Sequence, residues 1–318
     1  MTYYLAPMEG ITGYLFRQTL AEVFGPPDKC FTPFVSPNGN QAMTRRERED
    51  VLPEHNQGLF VVPQILTNRA EHFLSAAREL ARMGYGEVNL NLGCPSGTVA
   101  SKGKGSGFLA APQELDRFLA EIFAKTPVKI SVKTRLGVED AEEFPAILDI
   151  FNKYPLEELI LHPRVRKDFY KNAPRRAQFR YAMEHTGHKL CYNGDLFTET
   201  DTREFLQEFP GCGCLMLGRG VLANPALLRM LAGGAAPKGE ELYRFQELLT
   251  ERYYERMADD RNVLFKMKEL WFYLIRSFSG GEQYVRKLKK LQRLGEYRLL
   301  MEELFGECAV RLPKHLYF

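Results

Sequence analysis

Glu87-Val88-Asn89-Leu90-Asn91-Leu92-Gly93-Cys94-Pro95 reads as an apolar strand that stops at Gly93. A loop rich in Gly, Ser and Lys follows at 96–107. A cysteine at the mouth of a strand, ahead of a loop through which an anion could approach the backbone, is placed for chemistry. The other reading of a free cysteine is a small buried hydrophobe. The recurrence of the same arrangement elsewhere in the chain favours chemistry.

Eight apolar, β-branched segments each carry or end in a polar or turn-forming residue. Segment 3–8 ends in Ala6-Pro7-Met8, and segment 30–36 leads to Ser36-Pro37-Asn38. Segment 59–66 carries Gln64, and segment 87–93 leads to Cys94. Segment 128–136 carries Lys133 and Arg135, and segment 156–164 carries His162. Segment 189–195 ends in Asn193-Gly194-Asp195, and segment 212–220 in Gly218-Arg219-Gly220. Helical periodicity separates most of them, at 70–83, 112–123, 144–153, 175–185, 200–209 and 225–232. Apolar runs alternating with helices indicate parallel strands buried on both faces. Eight such units of roughly 27 residues are the scale of a closed (β/α)₈ barrel, with its chemistry at the C-terminal strand ends. An open doubly wound sheet is the alternative, but no Gly-x-Gly-x-x-Gly turn follows the first strand.

A Gly/Ala/Pro hinge at 232–239 separates this α/β pattern from a different one. The expected division is a TIM barrel over 1–236 and a small all-helical domain over 239–318. Helical spacing there covers 240–257, 263–278, 282–294 and 297–305. The stretch 284–293 holds five basic residues and no acid. Arg286, Lys289, Lys290 and Arg293 follow the i, i+3, i+4, i+7 spacing of one helical stripe. Such a stripe is either a solvated face or a phosphate-backbone contact. Lys266, Lys268 and Arg276 extend it.

Composition excludes more than it selects. The 318 residues are 45% hydrophobic and 26% charged, as in an ordinary globular protein. No run of 18 apolar residues offers a membrane span. The first strand begins at once, leaving no room for a signal peptide. Six cysteines without paired spacing point to a reducing, cytoplasmic setting, and Cys212-Gly213-Cys214 reads as structural rather than metal-binding. No metal site is expected. A net charge of +3 does not by itself call for nucleic acid.

The turns after strands seven and eight form the usual phosphate site of such a barrel. Arg219 adds a guanidinium fork. Gln64 and Lys133 point toward the mouth, where an amide can pair with a ring of alternating N–H and C=O groups and an ammonium can stabilise negative charge on it. His162 can hydrogen-bond the ring or the phosphate. As a set these residues suit a flavin mononucleotide (FMN).

At this point the chain resembles the tRNA-dihydrouridine synthases, FMN enzymes that reduce a uracil ring in RNA. The resemblance rests on Ala6-Pro7-Met8-Glu9-Gly10-Ile11-Thr12 with Phe16-Arg17, on Gln64, and on Asn91-Leu92-Gly93-Cys94-Pro95 with Lys102 and Gly105. It continues through Val132-Lys133-Thr134-Arg135-Leu136-Gly137, His162-Pro163-Arg164 with Tyr170, Asn193-Gly194-Asp195, and Gly218-Arg219-Gly220 with Asn224-Pro225. The tail, with Lys266-Met267-Lys268-Glu269-Leu270-Trp271, is similar to the family's RNA-binding domain. Three departures touch the substrate side. Pro163 and Val165 stand where the family reads His-Gly-Arg-Thr, Asn89 stands where an acid is common, and 167–174 is less glycine-rich.

The resemblance implies hydride transfer from flavin to uracil C6 and proton delivery from Cys94 to C5. A thiol near its ordinary pKa of about 8.5 is protonated at neutral pH and suits the second step. It further implies that Asn91 orients base or flavin, that Arg135, Arg164 and Tyr170 meet the extruded nucleotide, and that the tail grips RNA phosphates. Ala6, Pro7, Met8, Gln64, Lys133, His162, Asn193, Gly194, Asp195, Gly218 and Arg219 would hold the cofactor. NADPH is the expected reductant, tRNA the expected partner, and a monomer the expected state. Two alternatives remain: an FMN reductase of a free pyrimidine, such as dihydroorotate, and a catalytically silent RNA-binding protein. The first commonly continues with Asn after the motif proline, where this chain has Ser96.

Overall fold

The computed structural model describes residues 1–317. Eight parallel strand positions alternate with helices and close into a barrel. They are β1 (Thr2–Leu5), β2 (Lys29–Phe31), β3 (Val61–Val62 and Gln64–Ile65), β4 (Glu87–Leu92), β5 (Lys129–Thr134), β6 (Leu159–Leu161), β7 (Leu190–Tyr192) and β8 (Cys214–Leu217). Pro63 splits β3, since proline has no N–H to give a ladder. Its first half pairs with β2 through Cys30 and Val61, and its second with β4 through Gln64 and Asn89. Pairing of β8 with β1 completes the ring.

The alternation of strand side chains divides the apolar residues into two cores. Tyr4, Phe31, Val62, Ile160, Cys191, Cys214 and Met216 fill the barrel interior. The outward faces pack against helices α1 (Tyr14–Phe24), α2 (Arg45–Val51), α3 (Ala70–Arg82), α4 (Gly97–Ala100), α5 (Pro112–Lys125), α6 (Phe144–Phe151), α7 (Arg176–His185) and α8 (Glu199–Glu208). The helical pattern at 225–232 forms α10 (Leu227–Leu231). A further short helix, α9 (Arg219–Ala223), begins inside the expected strand segment 212–220, with Asn224-Pro225 separating the two helices. Cys212 and Cys214 are buried, and the Cys212 thiol bonds the Cys214 carbonyl at 3.3 Å.

Helices α11 (Gly239–Met257), α12 (Asp260–Leu274), α13 (Glu282–Lys290) and α14 (Leu294–Glu307) form the tail. Trp271 anchors it. Its indole N–H donates to the Tyr297 hydroxyl, which donates to the Gln246 amide oxygen, all buried. Phe245 of α11 packs edge-on to Phe16 of α1. The apolar cluster around the barrel therefore runs unbroken into the tail. The helix expected over 282–294 ends at Lys290, and Arg293 caps the next helix. The four-residue basic stripe is thus not one helical face. Lys268 of α12 instead donates to the Lys289 and Leu291 carbonyls, closing the C-terminus of α13. No helix among the described residues is long and apolar enough to cross a membrane.

Candidate active site at the barrel mouth

Loops from β1, β7 and β8 meet at the C-terminal end of the barrel. Ala6, Pro7 and Met8 follow β1, Asn193, Gly194 and Asp195 follow β7, and Gly218 and Arg219 follow β8. Together with Lys133, His162 and Tyr170 they line one cavity of about 80 Å³. Close packing fixes its shape. A Cβ at Gly220 would come within 2.7 Å of the Leu196 carbonyl oxygen, so the turn after β8 requires glycine there. Leu196, Phe197, Met216 and Leu217 complete the wall. Only their apolar character marked them in the sequence, which does not separate a cavity wall from core.

The mouth is strongly cationic. Burial, with Arg135 nearby, pushes the Lys133 ammonium down to about 8. Lys133 has neither a hydrogen bond nor an ion pair among the described residues. Burial, reinforced by Arg135, Lys133, Arg164 and Arg219, drives His162 well below the usual histidine range and keeps it neutral. Arg164 Nη1 lies 3.0 Å from His162 Nε2. A guanidinium only donates, so Nε2 accepts and the ring proton sits on Nδ1.

One carboxylate answers these cations. Asp195, in the left-handed region at φ 41°, accepts a forked pair from Arg164 and a 2.6 Å bond from Arg219. Arg219 also stacks on Tyr170 and Phe197, each 4.8 Å from the ring centre. Arg164 and Arg135 are buried and engaged. Arg164 further donates to the Asn172 carbonyl, and Arg135 donates to the carbonyls of Gly93, Val165 and Phe169. Both therefore fasten loops rather than present a free fork to a nucleotide. Tyr170 is exposed at the rim.

A relay of side-chain amides aims the Cys94 loop. Asn89 donates to Ser131 Oγ and accepts from Gln64, while Asn91 donates to Gln64. Asn91 Oδ1 then accepts the backbone N–H groups of Gly93 and Cys94, at 3.0 and 2.9 Å. Asn89, which replaces the common acid, is thus the neutral link to Ser131. Gln64 is buried in this relay and does not line the cavity. The amide expected against a ring and the asparagine expected against a base both take part in holding the turn. Ser106 clamps the Cys94 carbonyl with its N–H and hydroxyl. Gly105, at φ +56°, is required there, because a Cβ would lie 2.9 Å from that same carbonyl oxygen.

Cys94 is half-buried. Burial raises its thiol pKa, and the Ser96 N–H, Lys133 and Arg135 only partly offset this. The thiol stays protonated at neutral pH. Cys94 does not line the small cavity, but a Cβ added to its neighbour Gly93 would lie 4.0 Å from the Lys133 ammonium that does. In the tail, Lys266 donates to the Gly10 carbonyl at 2.6 Å, tying α12 to the β1 loop. Arg286, Lys289, Lys290 and Arg293 are exposed.

The fold is a (β/α)₈ barrel, and the family to which the chain belongs makes the protein a flavin-using oxidoreductase. The sequence model of the Dihydrouridine synthase (Dus) family matches residues 4–308, and the chain belongs to that family. A probable tRNA-dihydrouridine synthase of Staphylococcus aureus (strain COL) is 28% identical, covering 95% of this chain and 92% of the relative. The tRNA-dihydrouridine(16) synthase of Cupriavidus necator is 27% identical, covering 96% and 98%. In fold alone the chain is similar to morphinone reductase in complex with tetrahydroNAD. The TM-score is 0.51 at 13% identity, covering 77% of this chain and 90% of that one.

Proposed function

We propose that this protein reduces a uridine of tRNA to 5,6-dihydrouridine in the cytoplasm, as a monomer, with tightly bound FMN recharged by NADPH. The observation that carries the reading is the cationic cavity at the barrel mouth beside a protonated cysteine. Buried Arg164 and half-buried Lys133 and Arg219 line a mouth whose wall carries one carboxylate, Asp195, and an anionic cofactor would supply the charge they lack. Lys133 would stabilise negative charge on the isoalloxazine, and the β7 and β8 turns with Arg219 would hold the phosphate. The cavity is smaller than FMN, so Arg219 and Tyr170, which stack on each other over it, would move aside.

When bound, flavin supplies the hydride for uracil C6. Cys94 then gives its proton to C5, leaving a thiolate that Lys133 and Arg135 stabilise electrostatically. The relay from Ser131 to Asn91 holds the thiol in place. His162, neutral and protonated on Nδ1, offers one donor. Arg135 and Arg164 keep the surrounding loops in register. The exposed Arg286, Lys289, Lys290 and Arg293, with half-buried Lys266, are candidates for phosphate contacts.

Mapping dihydrouridine by mass spectrometry in the RNA of cells with and without the gene tests this. Loss at one tRNA position is expected, and an unchanged map overturns the reading. Reduction of free uracil or orotate with no action on RNA selects the free-pyrimidine alternative. A protein that binds tRNA but takes up no flavin selects the silent one.

A further inference from the structure

We propose that the outer face of α12 is a stacking platform for unpaired bases of the substrate RNA. This deepens the RNA-modifying reading and rests on it. Phe265 and Phe272 lie seven residues apart and are 61% and 51% exposed. Seven residues are two helical turns, so both rings stand on one stripe, about 10 Å apart. Buried Val263, Leu264, Met267, Leu270, Trp271 and Leu274 occupy the opposite side. The rings therefore stand outside the packed face of α12, Phe272 touching only Tyr273 edge-on among the aromatic contacts of the described residues. Two large half-exposed aromatics on one stripe mark a surface for a partner.

The surroundings select the partner. One flank of the stripe meets the catalytic mouth, through Lys266 on the Gly10 carbonyl and through Tyr273, which lies within electrostatic reach of Arg219 and near Tyr170. The other flank meets the basic helix α13, through Lys268 on the Lys289 carbonyl. Exposed Arg276 extends the stripe at its C-terminal end. Phe265 also walls a cavity of about 700 Å³ between α12 and the loops after β1 and β2. Glu269 stands between the rings on this face, 3.6 Å from Lys266. Aromatic faces flanked by cations and leading toward the reacting centre fit a strand with a negative backbone and flat bases. Stacking on exposed rings holds such strands without reading their sequence. The span between the rings matches about three base steps of 3.4 Å. A uridine drawn out of folded RNA leaves neighbours unstacked, and this face would receive them.

The test compares wild type, Phe265→Ala, Phe272→Ala and Phe272→Trp as flavin-loaded proteins. The ligands are an unmodified tRNA transcript and an RNA duplex of equal length. Each alanine change is expected to weaken tRNA binding about 5- to 100-fold. It leaves duplex binding, salt slope, flavin content and melting temperature unchanged, and tryptophan restores affinity. Unchanged tRNA affinity in both alanine variants overturns the platform and leaves the enzyme reading intact. Equal losses on tRNA and duplex, or a self-association that vanishes in the variants while tRNA affinity holds, also overturn it. A wild-type protein that binds no tRNA overturns the platform together with the reading it rests on.

Discussion

Two lysines inside the same barrel meet opposite fates. Lys29, at the start of β2, lies 3.0 Å from Glu87 and 2.7 Å from Glu158. Tyr4 donates to Glu158, and Lys189 donates to Tyr4, so the N-terminal end of the barrel is closed by a linked set. Burial pulls Lys29 down, but Glu158 and Glu87 outweigh it and hold the ammonium above its usual value. Burial leaves Glu87 raised, although Lys29 and Ser131 pull it down. Lys133, near the end of β5, has no counterion among the described residues and is pushed down to about 8. Pairing at the strand starts serves stability. The unpaired charge at the strand ends is the one that the proposed anionic cofactor would meet.

The sharpest way to break this comparison is at the mouth. Cys94→Ala is expected to retain flavin and tRNA binding while slowing flavin reoxidation by tRNA uridine by about 10²–10⁴. Stopped-flow absorbance of the reduced flavin measures it, and an unchanged rate assigns the proton to another group. At the closed end, Lys29→Met leaves two buried carboxylates facing each other. Denaturant unfolding should show a loss of about 3–5 kcal/mol at pH 7.5. The loss should shrink at pH 5 as the carboxylates take up protons, and FMN affinity should stay as in wild type.

A pH series distinguishes the ends more finely. Lys133 has a lowered folded pKa, so the unfolded chain holds more protons between pH about 8 and about 10.5, and the Lys133 contribution to stability rises with pH over that window. Binding an anion favours the proton, so FMN affinity should fall above pH about 8, by at most about tenfold per unit. Lys133→Met should abolish that dependence, and a flat wild-type profile would detach Lys133 from the cofactor. The smallest effect belongs to the tail. Changing Arg286, Lys289, Lys290 and Arg293 to Gln one at a time should each lower the salt slope of tRNA binding by about one where that side chain meets a phosphate. Because α13 ends at Lys290, Arg293 need not behave like the other three.

The strand–helix alternation was legible in the sequence because it is local. Apolar period, helix breakers and turn glycines each act within a few residues, so the barrel, the helical tail and the Cys94 loop could be read directly. The loops after β1, β7 and β8 could be assigned to one mouth because a parallel barrel leaves all its strand ends on one side. Tertiary structure alone decided which polar groups were already engaged. Gln64 and Asn91 look like ring and base contacts in the sequence, yet strand register sets them in a chain from Ser131 to the Cys94 backbone. Arg135 and Arg164 look like nucleotide forks, yet carbonyls and Asp195 from distant loops claim them. The same holds for Lys29 and Lys133: both are lysines in barrel strands, and only the carboxylates brought in by other strands separate them. A side chain's chemistry is written at its own position, but its free valence depends on partners supplied by folding.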